Sequence, residues 1–255
     1  MNTTKPLISV MMPVHDRAHL VKQALVSIFD QTFKDFEIVV VDDGSTDGTW
    51  KILKEFADES SKMKLFRFPK QRGISEALLQ GNELCSGEII VKQDSDDLSL
   101  PDRLEKIKDY FEKNPDTEFF YHGMYQIYLT DSPKNKKRYP DIVRKLYYPA
   151  VPIEKNRILK EQYIPGVFAY TKKFSQEVPY RQLHCSDDWM LILDAYFKGK
   201  KIGFLNEGLY EYYLRDDSNS MIHEGTGNYE EDEETMRNIL EEEYQVKGFK
   251  YAPRK

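Results

Sequence analysis

The sequence predicts an α/β fold, a largely parallel sheet with helices covering both faces. Three observations carry that expectation. Short, continuously apolar runs rich in Val, Ile and Phe recur between residues 7 and 129. Between them, apolar residues return at helical spacing. Strand and helix therefore alternate, and right-handed crossovers place such helices on both faces of a parallel sheet.

Taken in order, "LISVMMP" (7–13) reads as a buried strand, and Leu20, Val21, Ala24, Leu25, Ile28 and Phe29 mark the helix after it. "FEIVVVDD" (36–43) is a second buried strand. In the "GSTDGTW" that follows, Thr46 or Asp47 is placed to cap a helix whose buried stripe is Trp50, Leu53 and Phe56. "KLFRF" (64–68) is a third strand, and Gly73 with Ser75 opens a helix through Leu78, Leu79 and Asn82. "EIIVKQD" (88–94) is the fourth, with Pro101 in the first turn of a helix carrying Leu104, Ile107 and Phe111. "EFFYHGMYQIYL" (118–129) is the fifth.

After residue 130 the alternation breaks. Six basic residues lie between Lys134 and Lys145, bracketed by prolines, and read as an exposed loop or as a site for an anionic acceptor or membrane surface. A helix begins near Ser186, with Trp189, Leu191, Ile192, Ala195 and Tyr196 along it. "KIGFLN" and "LYEYYLR" read as two further strands. "RDDSNSMIHEGTGN" (215–228) is polar and carries two glycines, the composition of a flap. The acidic segment from Asn228 is a helix whose Met236, Ile239, Leu240 and Tyr244 form a narrow stripe for packing on the body or on a partner.

Composition sets bounds. With 40% hydrophobic and 31% charged residues, the chain can bury an ordinary core. A formal charge of −6 argues against nucleic acid as a partner, which asks for a basic surface. The 17 Tyr and 14 Phe are first of all core filling, though carbohydrate sites use such rings too. Two cysteines, Cys85 and Cys185, far apart and without metal-type spacing, fit a reducing compartment. The N-terminus runs straight into a strand, and no apolar run reaches the roughly 18 residues that span a bilayer. A cytoplasmic protein is expected.

Two strands end in acids, at Asp42–Asp43 and at Asp94–Asp97, and ligands of parallel sheets bind at those carboxyl ends. A buried carboxylate is costly unless a cation or a set of donors meets it. Asp94 and Asp96, two residues apart, point the same way on an extended backbone, and Asp97 swings in where the strand ends. Hard oxygen donors of this kind suit Mg²⁺ or Mn²⁺, which bind through one or two carboxylates plus substrate phosphates. The plainer explanation is that Asp97, Ser99 and Asp102 cap the next helix. The turn after the first strand, "PVHDRAHL", has no glycine, which weighs against a dinucleotide fold, a P-loop and the Gly-rich loop of sugar nucleotidyltransferases.

The stretch "ISVMMPVHDRAHLVKQALVSIFDQTFKDFEIVVVDDGSTDGT", followed by "QDSDDLSLPDRLEKI" and later by "CSDDWMLIL", resembles the family 2 inverting glycosyltransferases of the GT-A fold. The resemblance covers residues 7–110 closely and resumes at 185–193. It implies a single domain over residues 1–255: a nucleotide-sugar-binding half over about 1–115, a mixed acceptor and catalytic half over about 116–225, and a C-terminal helix and tail. It implies that Pro13, Val14 and His15 lie against the nucleotide base and that Asp43 accepts a hydrogen bond from it, most readily from uracil. Asp94 then holds the ribose side, Asp96 with Asp97 meets the metal on the diphosphate, and Asp188 is the general base.

Departures from the family pattern shift two further roles. "QRGISEALLQG" stands where relatives carry Asn-x-Gly and Ala-Arg-Asn, which makes Arg72 a candidate for a base or phosphate contact. Relatives also carry Tyr-Arg-x-His with the His near the metal; here Arg215 or His223 takes that place. The resemblance thus implies transfer from a UDP-sugar to a glycan or lipid-linked acceptor, with Mn²⁺ or Mg²⁺, at the inner membrane face if residues 134–145 touch lipid. The alternative is a nucleotide-sugar-binding regulatory or scaffold protein without catalysis.

Overall fold

The computed structural model describes residues 5–128, 144–215, 228–247 and 249. The first part follows the predicted order: β1 (Ile8–Val14), α1 (Val21–Phe29), β2 (Phe36–Asp42), α2 (Thr49–Glu59), β3 (Met63–Arg67), α3 (Ile74–Leu84) and β4 (Ile89–Lys92). Every residue of β1, β2 and β4 is buried, which is why these strands read as largely apolar runs, and the polar pair inside them, Ser9 and Glu37, is joined by a hydrogen bond of 2.6 Å. The alternation of side chains splits each strand between two cores. Val10 and Met12 pack with α1 and α2 on one face, whereas Met11 packs toward α3 on the other. Asp47 secures the start of α2 by accepting the backbone N–H of Thr49 at 3.0 Å and its hydroxyl at 2.6 Å.

Beyond β4 come β5 (Leu98–Ser99), α4 (Arg103–Lys113), β6 (Phe119–Tyr128), β7 (Arg144–Tyr148), α5 (Lys155–Ile158), β8 (Phe168–Thr171), α6 (Lys172–Glu177), α7 (Asp187–Phe197), β9 (Ile202–Leu214) and α8 (Asn228–Tyr244). Among the described residues the strands form one sheet of nine, in the order β3-β2-β1-β4-β8-β6-β9-β5, with β7 paired to β6. The four strands β3, β2, β1 and β4 are parallel, as expected. From there the sheet is mixed: β8 enters antiparallel between β4 and β6.

Two features depart from the sequence reading and a third decides between its alternatives. The short β7 and β8 were not among the expected strands, since "RKLYY" and "FAYT" carry no bounded apolar pattern. Residues 202–214 form one strand rather than two. The segment around Asn206–Gly208 looks like a turn, but it is absorbed as register shifts against His122 and Gly123 of β6. The C-terminal helix settles the alternative left open for it: Met236 and Leu240 are fully buried in the same core as Trp189 and Leu193 of α7. The basic run lies largely outside the described residues. Its last member, Lys145, pairs with Glu211 at 2.6 Å.

Candidate active site

Three chain segments meet at the carboxyl ends of β1, β2 and β4. The first is the acid pair after β2. Asp43 takes the backbone N–H groups of Arg72 and Gly73 on its two oxygens, at 2.6 and 2.8 Å. That approach depends on Gly44, whose φ of +70° suits glycine and where a Cβ would stand 2.5 Å from the carbonyl carbon of Lys70. Pro13 and Val14 are buried at the end of β1, and Val14 accepts the Asp43 N–H at 2.8 Å. The ring of His15 reaches back to the carbonyl of Asp43, with Nδ1 at 2.7 Å. Arg72 meets Asp43 through its backbone, while its guanidinium stacks over Phe68 at 4.5 Å.

Next in the chain, Asp16 adopts a left-handed conformation (φ 48°), tolerable for Asp, and accepts the Thr46 N–H at 2.7 Å. This turn delivers Arg17 to the second segment, where its Nε lies 3.3 Å from Asp96 Oδ2. Asp97, fully buried, accepts the backbone N–H of Tyr213 at 2.8 Å and has Arg215 Nη1 3.8 Å away. Its other oxygen, Oδ2, is buried without a partner. Burial and the neighbouring charges of Asp96 and Asp94 push the Asp97 carboxyl well up. Burial, with Asp94 beside it, raises Asp96 as well, against the pull of Arg17.

Capping does not explain these acids. Helix α4 has no side-chain cap from Asp102, Asp97 is spent on Tyr213, and Ser99 donates to Gln93 at 2.6 Å. The expectation that a positive partner is missing is only partly met, because the protein supplies Lys92, Arg17 and Arg215. What remains unmatched is one buried oxygen of Asp97. Among the described residues no three His, Cys, Asp or Glu side chains gather as a metal-ligand set. Asp96 and the unpartnered Oδ2 of Asp97 are hard oxygen donors that would fit a divalent ion only with further ligands, such as substrate phosphates. His223 lies outside the described residues.

The third segment is the start of α7. Lys92, the last residue of β4, is buried, with Nζ 2.9 Å from Asp94 Oδ1 and 3.2 Å from Asp188 Oδ2. Burial works against that ammonium, but Asp188, Asp94 and Asp187 outweigh it and hold its pKa well above the usual lysine range. Asp188 is raised by burial, with Lys92 opposing the shift, and its Oδ1 is buried without a partner. Asp187 is raised further, by burial and then by the charge of Asp188. Gly166 makes room for this carboxylate: a Cβ there would lie 2.6 Å from Asp188 Oδ2.

Beneath the acids runs a buried support that sequence reasoning missed. Arg103 is fully buried and donates to His122 Nε2 (3.0 Å), Gln93 Oε1 (3.0 Å), Ser99 Oγ (2.9 Å) and the Lys92 carbonyl (2.9 Å). With its donors met, the cation is tolerated inside. Burial and Arg103 hold His122 neutral, its pKa lowered to about 3. Tyr210 adds its hydroxyl, which accepts the Asp94 N–H at 3.0 Å. Lys92, Arg17, Gly166, Arg103 and Tyr210 each meet the acids from positions remote in sequence or look like ordinary strand and turn residues.

The model of the family described as glycosyl transferase family 2 matches residues 9–177. An uncharacterized glycosyltransferase of Haemophilus influenzae is 35% identical over 109 residues, 43% of this chain and 44% of its own. Glycosyltransferase GlyA of Streptococcus pneumoniae is 27% identical over 227 residues, 84% of this chain and 32% of its own. The chain spans less than half the length of the curated relatives it matches. Among solved structures, S. aureus TarS 1–349 in complex with UDP-GlcNAc superposes with a TM-score of 0.67 at 17% identity, covering 95% of this chain and 73% of that one. Mannosyltransferase PcManGT from Pyrobaculum calidifontis, in complex with GDP-Man and Mn²⁺, gives 0.64 at 18% identity, covering 87% and 61%. These neighbours share the GT-A fold with it. The chain belongs to glycosyl transferase family 2.

Proposed function

We propose that this chain is an inverting glycosyltransferase moving a sugar from a nucleotide-sugar donor, a UDP-sugar first, to a hydroxyl of a glycan or lipid-linked acceptor. One observation carries the reading: Lys92 holds Asp94, at the end of a donor-side strand, and Asp188, at the start of α7, on a single buried ammonium. Acids that far apart in sequence share one cation only if the fold brings their two segments to the same point, which is what transfer from a donor to a base-activated acceptor requires. Two neighbours bind nucleotide sugars, UDP-GlcNAc in TarS and GDP-Man with Mn²⁺ in PcManGT, which supports a donor of that class.

In this reading Pro13, Val14 and His15 border the base, and Asp43 fixes it with the oxygen lone pairs left beyond its two backbone bonds. Asp94 takes the ribose side. Asp96 and Asp97 would hold Mn²⁺ or Mg²⁺, whose chemistry is to offset charge on the diphosphate. Arg215, or His223, adds to that end of the site. Asp188 removes the acceptor hydroxyl proton; the oxygen attacks the anomeric carbon, and the bond to the diphosphate breaks with its electron pair leaving on the nucleotide. Attack opposite the leaving group inverts the centre, and one carboxylate suffices.

Asp187, more deeply buried than Asp188, is the less suited of the two, since burial and then the neighbouring charge of Asp188 push its carboxyl well up. The test is UDP or GDP release from a panel of UDP- and GDP-sugars with Mn²⁺, by the wild type and two variants. Asp188→Asn is expected to lose at least about a hundredfold in turnover while still binding UDP. Asp187→Asn, which keeps the shape of a side chain not assigned to the proton transfer, is expected to keep most activity. Full turnover by Asp188→Asn sinks the base assignment, and no release from any donor favours a binding protein without catalysis.

A further inference from the structure

We infer that Asp232 of the C-terminal helix is a positioning residue for Asp188, so that α8, beyond the 9–177 family match, helps to aim the base. The inference rests on the proposed role of Asp188. The turn that enters α7 is gripped from two sides. Ser186 stands at the N-cap, yet its side chain makes no capping bond and its Oγ is buried without a partner. Instead the backbone N–H groups of three successive residues, His184, Cys185 and Ser186, converge on the Asp232 carboxylate, each at 2.9 Å. Asp232 is 1% exposed, and the Cys185 thiol points to it as well, at 3.3 Å.

From the opposite side Ser75 of α3 accepts the Leu183 N–H at 3.1 Å and donates to its carbonyl at 2.8 Å. Ser75 follows Gly73, whose own N–H goes to Asp43. The turn is thus held between the donor side and α8, and Asp187 and Asp188 are the next residues after it. Hydrogen bonds to a buried carboxylate are among the stronger ones. Without Asp232, three backbone N–H groups, that of Ser186 buried and those of His184 and Cys185 partly so, lose their acceptor and the turn must relax. A displacement of about 1 Å in a reacting group is enough to cost about a hundredfold in rate. The groups proposed to bind the donor stand on the ends of β1, β2 and β4, so the loss falls on turnover and not on donor binding.

The experiment compares Asp232→Ala, Met236→Ala and Asp188→Asn in the full chain with the donor the panel selects, water or a sugar alcohol as acceptor, and UDP with Mn²⁺ as the binding probe. Met236 packs α8 into the core and accepts none of the turn's N–H groups, which go to Asp232, so its truncation reports destabilisation without loss of those bonds. Asp232→Ala is expected to lower kcat about tenfold or more with donor KM and the UDP-induced rise in Tm unchanged, while Met236→Ala lowers Tm and keeps kcat. Unimpaired kcat in Asp232→Ala, or a loss of kcat and UDP binding together that Met236→Ala reproduces, overturns the inference. Normal turnover by Asp188→Asn, or no release from any donor by the wild type, overturns the functional reading and this inference with it. A dead Asp188→Asn beside an unimpaired Asp232→Ala removes only the inference.

Discussion

Lys92 Nζ lies 3.2 Å from Asp188 Oδ2, with the lysine buried and the aspartate half-buried. The pair sets the pH at which Asp188 can accept a proton. Burial raises its pKa and Lys92 lowers it. Turnover should fall on the acid side as pH drops through that raised pKa. In Lys92→Met the opposing charge is gone, so the acid limb of kcat should move upward. A kcat–pH profile checks this. A limb that stays put, or moves down, contradicts the pairing.

Gly166→Ala should damage the same carboxylate by crowding. The added Cβ would stand 2.6 Å from Asp188 Oδ2, which Lys92 already holds and which has little room to retreat. Turnover should fall about 10- to 100-fold, with UDP binding and Tm close to wild type. Steady-state kinetics beside a thermal shift assay give the comparison. A fully active Gly166→Ala means that Asp188 is free to move.

Asp96 and Asp97 carry the prediction about the ion. UDP with Mn²⁺ should stabilise the chain far more than UDP with chelator; at a hundredfold excess over Kd the gain is about 2.7 kcal/mol. Asp96→Ala should erase the difference between the two conditions. Equal stabilisation in chelator removes the ion from Asp96 and Asp97.

His122 should weaken the fold in acid. Its folded pKa of about 3 lies below the usual histidine value of 6.5, so the unfolded chain binds a proton that the folded chain refuses. Above pH 6.5 both states are neutral and the residue adds no pH dependence; as pH falls toward 3, stability is progressively lost. His122→Gln, which still offers Arg103 an acceptor, should flatten the difference curve between these limits. Chemical denaturation across pH 7 to about 4 reads it directly. Parallel curves for the two proteins count against a neutral His122.

Much of this was legible in the sequence, and the reason differs by element. Strands β1, β2 and β4 announced themselves because burial on both faces leaves them mostly apolar, with only Ser9 and Glu37 inside the runs and Asp42 and Lys92 at their ends. Asp94, Asp96, Asp97 and Asp188 stood out through motif order. The strand β8 did not, since four residues without alternation look like any apolar patch. Lys92 reads as a solvent-facing residue near a strand end, and nothing local says that it spans 96 positions to Asp188. Asp232, in a run of acids on an exposed-looking helix, differs from Glu230 and Glu231 only by where α8 docks. Local chemistry could be read; long-range partnership could not.

The antiparallel strand β8 has a consequence for cutting and recombining the chain. It covers the side of β4 that β1 leaves open, through Ile89↔Thr171, Ile90↔Tyr170 and Val91↔Ala169. A fragment ending near residue 115 would keep the donor acids but strip that cover, baring an apolar edge of unpaired peptide groups next to them. Such edges recruit other chains. Chimeras that exchange acceptor specificity are therefore better joined after Thr171 than at the apparent midpoint, so that the seam travels with the strand that seals it.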